Sequence, residues 1–388
     1  MRVSKLPGIG IILLCMVSCI ELYQPEIKEM QEMLVINGSI SDQPGWHYVE
    51  VSRSSPYNEP GFIPVEGCVV RVEDENGLSV TYADYKPGVY RADLDASFLG
   101  VNKAYKLYVY TQEGKEYQSD YDSLLACPPI DSLYYETDRQ AMEDSKITYP
   151  GIQFYVDVKG KDGESRDFLW KMEESYEYHS KYDIQFIWNG EEVEEFDPPI
   201  DSLHRCYRTR SISEIYAASS RYLVTNELNR YPLNFVSGNT PKLKIKYSLM
   251  VTQHSLSNDA FLYWDNIRKL IGETGGLYEK QPANTKGNIH NVNDAEEQIL
   301  GFFYASQERE KWIILKNQFD FAIQDYSCPI DTVEDLRDFP GDLYIISLNI
   351  NEEGERRGEP YGTSYRGCFD CRLRGGTLEP PYYWLTDE

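Results

Sequence analysis

Residues 168–188 read FLWKMEESYEYHSKYDIQFIW, and their alternation decides the fold class. Phe168, Trp170, Met172, Tyr176, Tyr178, Tyr182, Ile184, Phe186 and Trp188 all sit at even positions. Their odd neighbours include Lys171, Glu173, Glu177, His179, Lys181, Asp183 and Gln185. A period of two belongs to a strand, whose successive side chains point to opposite faces. One face is aromatic and the other charged, as in an antiparallel sheet with one wet side. The run far exceeds the usual strand of about 5–6 residues. It predicts two strands with a bend near Ser180, after which Asn189-Gly190 turns the chain. Residues 191–197 (EEVEEFD) read as a solvated loop, and their spacing fits no calcium loop.

The same pattern spreads in both directions. Residues 33–36 (MLVI) form an apolar strand that runs into the turn signal Asn37-Gly38. Residues 46–52, 65–73, 80–85, 88–92 and 105–111 alternate likewise, punctuated by Asn76-Gly77 and Glu113-Gly114. Short strands at this spacing predict an immunoglobulin-like or transthyretin-like β-sandwich over 31–127, ending at the stiff Cys127-Pro128-Pro129. Residues 128–388 read as a larger β-rich domain, with strands near 130–135, 152–158, 242–253, 300–305, 312–315 and 343–349. One helix interrupts them. Ser257 can cap residues 258–273, and Phe261, Trp264, Ile267, Leu270 and Ile271 share a stripe. Trp264 and Ile267 are expected to lie buried on the second domain's sheet. The fold class is therefore all-β, and the abundance of tyrosine (32, against 14 Phe and 6 Trp) agrees with it. An aromatic surface for sugars or peptides is the other reading of those tyrosines.

The chain opens MRVSKLPGIGIILLCMVSC. A basic start, a short apolar run and a small residue at the cut mark a secretory signal over 1–18. Met16-Val17-Ser18-Cys19 resembles the lipobox of bacterial lipoproteins, which implies lipidation at Cys19 and a tether over 19–30. No later apolar run approaches the ~20 residues that a membrane helix needs. Formal net charge is −25, and loss of Arg2 and Lys5 with the leader makes it −27. Such a chain repels phosphate backbones and anionic headgroups, so no nucleic-acid partner is expected and attachment falls to the lipid.

An exported chain with six further cysteines predicts disulfides. Cys68 and Cys127 lie in one predicted domain and are expected to pair. Among Cys206, Cys328, Cys368 and Cys371 two bridges are expected, with Cys328 joined to one cysteine of the Cys368-Phe369-Asp370-Cys371 motif. Redox and zinc readings of that motif are weaker, because no βαβ setting surrounds it and only Cys206 and Cys328 remain as further ligands. Arg372 and Arg374 follow directly. They are expected to pair with internal carboxylates or, failing that, to contact a ligand or partner. The five histidines form no HExxH or His-x-His arrangement. There is no GxSxG elbow, Walker loop or GxGxxG, and no carboxylate pair stands out. No catalytic residue, metal or cofactor is expected.

CFDCRLRGGT from Cys368 with its aromatic-proline tail, VINGSISDQPG from Val35, PPIDSLYYE from Pro128 and RDFLWKMEESYEY from Arg166 together resemble one family. GGLYEKQPANTKGNIHNV from Gly275 and LGFFYAS from Leu300 match it too. It is the Bacteroidota lipoprotein family named domain of unknown function 4249. The resemblance implies an outer-membrane lipoprotein, on either face, of a kind often encoded beside TonB-dependent transporters, and carries over no catalytic residue. The expected role is an accessory that binds substrate for such a transporter or docks on its barrel. A surface adhesion or assembly protein is the alternative, and an envelope hydrolase the third.

Overall fold

The structure is a computed structural model and describes residues 32–56, 59–141, 147–273, 286–352 and 354–385. The leader, Cys19 and the tether lie outside the described residues. The chain is mostly β, with one α-helix among the described residues, so the all-β expectation holds.

The first body is a sandwich. Strands Leu34–Ser41, Gly45–Arg53 and Val89–Leu94 make one sheet; Val69–Asp74, Ala104–Tyr110 and Glu116–Ser119 make the other. Strand Ser79–Lys86 belongs to both, pairing with Val69–Asp74 through its first half and with Val89–Leu94 through its second. Alternation turns Ile36, Ile40, Val49, Val51, Val70, Val72, Leu107 and Val109 inward, all fully buried. Asn37-Gly38 is not a turn but lies inside Leu34–Ser41. That strand is flanked on both sides, and a Cβ at position 38 would stand 3.0 Å from Val49 and 3.3 Å from Phe303.

Phe303 belongs to a segment that the sequence assigns to the second domain. Ile289–Asn291 pairs antiparallel with Glu116–Ser119. Ile299–Leu300 and Phe303–Ser306 pair in parallel with Leu34–Ser41. A division at residue 127 therefore does not follow the sheets: residues 289–306 return to complete the first sandwich. The reason is the exposed edge of Leu34–Ser41, whose backbone groups need a partner, and a parallel partner must arrive by a long crossover. Gly301 lies between the two segments, which keep one register along Leu34–Ser41; its φ is +98, and the Ile36 carbonyl is only 2.0 Å from where a Cβ would sit. Asn288 clamps the return, donating to the Phe303 carbonyl (2.7 Å) and accepting from its N–H (2.9 Å).

The second sandwich packs the three-stranded sheet Ile130–Ala141, Thr148–Lys159, Glu227–Ser237 on the four-stranded sheet Arg205–Ser219, Asp167–His179, Lys246–Ser255, Glu308–Lys316. The even positions Phe168, Trp170, Met172, Tyr176 and Tyr178 are buried against Ile152, Phe154 and Val156. Pro241 starts a 3-10 turn, Pro241–Leu243, so the third strand begins later than the alternation from residue 242 suggests. The chain does bend after His179, and Ile184–Trp188 then enters a separate five-stranded sheet. Residues 191–197 are no loop: Val193–Ile200 is a strand of that sheet, paired to Ile184–Trp188. Its acidic side chains suit an edge strand.

The helix is Asn258–Glu273, and the Ser257 hydroxyl accepts from Ala260 N–H (3.2 Å). Its fully buried residue is Ala260; Trp264 and Ile267 are only half-buried, contrary to expectation. The helix packs on Leu169 and Ala217 of the four-stranded sheet and also on Phe302 and Tyr304 of the return segment. It therefore sits over the junction of the two sandwiches, where space is shared among three elements.

Candidate functional site

Six of the predicted site residues, Cys206, Cys328, Cys368, Cys371, Arg372 and Arg374, gather where the second sandwich meets the five-stranded sheet. Residues Arg366–Cys368 and Cys371–Arg374 form two short 3-10 turns. Disulfides join Cys206 to Cys371 and Cys328 to Cys368. Cys328 thus pairs with one cysteine of the motif, and no internal Cys368–Cys371 bridge forms. Both motif thiols are consumed, and no group of three or more metal-ligating side chains occurs among the described residues. Cys68 and Cys127 do not pair; both are free and buried. Cys68 lies beside Tyr90 in the first sandwich, while Cys127 lies at the junction beside Gln253 and Gln307.

Arg372 and Arg374 take different partners. Arg372 forms a two-pronged pair with Asp370 (3.0 and 2.8 Å) and remains half exposed. Arg374 has no carboxylate partner among the described residues. It donates to the Gly367 carbonyl (2.9 Å) and to the sulfurs of Cys328 and Cys368 (3.2 Å each). Its guanidinium lies 4.2 Å from the Tyr326 ring centre. Beside it opens a cleft of about 220 Å³ that also takes in Tyr178, His179, Lys181, Lys244 and Tyr326. The tail beyond is anchored by pairing and ring contacts: Thr377 bridges Tyr207, the Tyr383 hydroxyl meets Ser175 and Ser248, and Trp384 donates to Ser248 (2.8 Å).

Two histidines sit beside both a hydroxyl and a carboxylate. His204 Nδ1 faces Ser180 Oγ (2.9 Å) and Asp183 (3.3 Å). His254 Nδ1 faces Ser306 Oγ (3.0 Å) and Glu308 (3.5 Å). A nucleophile relay needs the carboxylate on one ring nitrogen and the hydroxyl on the other. Here both lie on the same nitrogen in each case. Burial lowers the proton affinity of both rings, strongly for His254.

Sequence reading overlooked Glu174. Its even position, between Met172 and Tyr176, turns it fully into the core. Lys242 (2.7 Å), Arg210 and the Tyr247 hydroxyl (2.9 Å) meet it there. Burial opposes its ionisation, but the two cations outweigh that and hold its carboxyl below the ordinary glutamate range. The parity that places its neighbours was the available signal. Also unread was the junction itself, which is polar. Gln253 donates to the Pro128 carbonyl (2.8 Å) and accepts from Trp170 (3.0 Å); Gln307 and Glu308 N–H both reach Asp42 (2.8 and 2.9 Å).

Each sandwich also exposes apolar side chains. On the first sandwich Trp46, Tyr48 and Tyr85 are exposed, but Arg91 lies over both Trp46 (4.1 Å) and Tyr85 (4.0 Å) and occupies those ring faces. On the second, the turn between Arg205–Ser219 and Glu227–Ser237 carries Tyr222, Leu223 and Val224 outward.

No curated protein matches the chain. A family model described as a domain of unknown function, DUF4249, matches residues 20–312, which take in the first sandwich, its returning segment and most of the second sandwich but not the disulfide-tied end. The chain belongs to that family.

Proposed function

We propose that the chain is a lipid-anchored protein of the outer membrane that serves a TonB-dependent nutrient transporter as an accessory substrate-binding or docking component. The observation that carries this reading is the leader: a basic start, a short apolar run and Met16-Val17-Ser18-Cys19, followed at once by the family region from residue 20. A diacylated cysteine supplies the two chains that stable membrane attachment needs. The folded body favours binding over chemistry, because its two hydroxyl–histidine–carboxylate clusters lack relay geometry. The polar junction fixes the two sandwiches against each other, which suits a rigid platform. Fatty-acid labelling of the whole protein should be lost in Cys19→Ala, with release into the soluble fraction; undiminished labelling would refute the anchor. Affinity purification from solubilised outer membrane should retrieve a barrel transporter, and recovery of the lipoprotein alone would refute the accessory role.

A further inference from the structure

The turn between strands Arg205–Ser219 and Glu227–Ser237 is densely hydrogen-bonded to the body, yet it displays apolar side chains to solvent. Tyr222 and Val224 are each 98% exposed, and Leu223 between them is 47% exposed. Exposed turns usually carry small or polar residues, so three consecutive apolar side chains here are not what solubility favours.

The backbone beneath them is pinned from several sides. Ser220 N–H donates to the Arg166 carbonyl (2.8 Å), and Leu223 N–H closes the turn onto Ser220 (2.9 Å). Arg166 donates to the carbonyls of both Ser220 and Leu223 (3.1 Å each). Arg221 pairs with the fully buried Asp167. Asn226 accepts from the Ser220 hydroxyl (2.6 Å) and donates to the Ser165 carbonyl (3.0 Å). Every polar side chain named here faces the body of the protein and the apolar ones face away. A loop held this way has already lost the freedom that binding would otherwise remove. Tyr222 at the tip, with Arg221 beside it, is of the residue types that dominate binding hot spots.

We infer that Tyr222, Leu223 and Val224 form a preorganised knob that inserts into a concave apolar pocket on a folded protein partner. This rests on the reading that the chain docks on another envelope protein. The knob is convex, so it needs a concave surface. Segments 159–167 and 221–227 around it carry as many acids as bases, so the matching rim is one of mixed charge without a dominant sign. The same balance disfavours the bilayer, since no basic flank draws the knob to anionic headgroups.

The test places a photo-crosslinking phenylalanine derivative at position 222 of the full lipidated chain in its own envelope, with a second probe at the exposed position 85. A crosslink from 222 to an integral barrel protein is the expected result. The double variant Tyr222→Ser, Val224→Ser should recover roughly tenfold less of that protein, equivalent to ~1.4 kcal/mol. Its melting temperature should be unchanged, because both side chains are 98% exposed. A crosslink from 85 but not from 222, or equal recovery by the double variant, overturns the knob while leaving the docking role intact. Adducts at 222 with lipid or with a second copy of the chain also overturn it. No protein partner from either position overturns both.

Discussion

The first sandwich and the disulfide-tied end of this chain are stabilised by opposite means. The sandwich is built on strands of six to nine residues, Leu34–Ser41, Gly45–Arg53 and Val69–Asp74 among them, over a fully buried apolar core, and its Cys68 stays unpaired. The end has strands of three and five residues, Asp331–Val333, Leu343–Ser347 and Tyr361–Thr363, followed by 3-10 turns and two disulfides. Long strands bury enough apolar surface to hold themselves together. Short ones do not, and covalent links then limit the freedom of the unfolded chain instead.

The largest effect should come from the disulfides. Cys206–Cys371 closes 165 residues and Cys328–Cys368 closes 40. Loop entropy makes them worth about 5 and about 4 kcal/mol. The double variants Cys206→Ser, Cys371→Ser and Cys328→Ser, Cys368→Ser should lose stability in that order in denaturant unfolding. Limited proteolysis of the reduced protein should cut beyond residue 317 before it touches the first sandwich. Early cleavage within residues 34–119 would break the comparison.

Next comes Asp122, where the first sandwich meets the helix. Burial pushes its carboxyl up to about 6, despite the Ser257 hydroxyl and the Ala305 N–H (2.7 Å) that favour its ionised form. In the unfolded chain it titrates near ~3.9. The folded state therefore holds the proton more tightly, so this contribution is full below pH ~4 and is lost as pH rises through about 6. The two-unit difference is worth about 3 kcal/mol. Asp122→Asn should match the parent in acid and exceed it at pH 8. Parallel stability–pH curves would show that the junction does not feel this charge.

The two arginines should give the smallest effects and sharpen the picture of the end. Arg374→Ala removes a ring-stacked guanidinium that also meets a carbonyl and the disulfide, and should cost about 1–2 kcal/mol. Arg372→Ala takes a half-exposed guanidinium from Asp370, which is buried but keeps the backbone N–H of residue 372 (3.0 Å), and should cost less, lowering the melting temperature by less than Arg374→Ala does. The reverse order would make Asp370, and not Arg374, the organiser of the turns.

Much of this architecture was legible because its signals are local. The parity of residues 168–188 shows which side chains face a core, and the break at Ser180 appears where the parity loses its apolar member. Ser257 and the stripe after it mark the helix. The reading of 191–197 as a loop failed because neighbouring strands, not the acidic side chains, satisfy that backbone. Trp264 proved half-buried because the helix lies over a junction and not over one sheet. Glu174 went unseen because a carboxylate enters a core only when its cations arrive from elsewhere, here Lys242 and Arg210.

By itself, then, the amino-acid sequence determined the all-β class, the helix and most turns, since each depends on residues within a few positions of one another. Only the tertiary structure decided that residues 289–306 complete the first sandwich, that Asp42 reaches Gln307 across 265 positions, which cysteines meet, and that Tyr222 and Val224 stand free of the body. Those outcomes depend on which distant backbone edges and buried charges find partners, and no local periodicity records that.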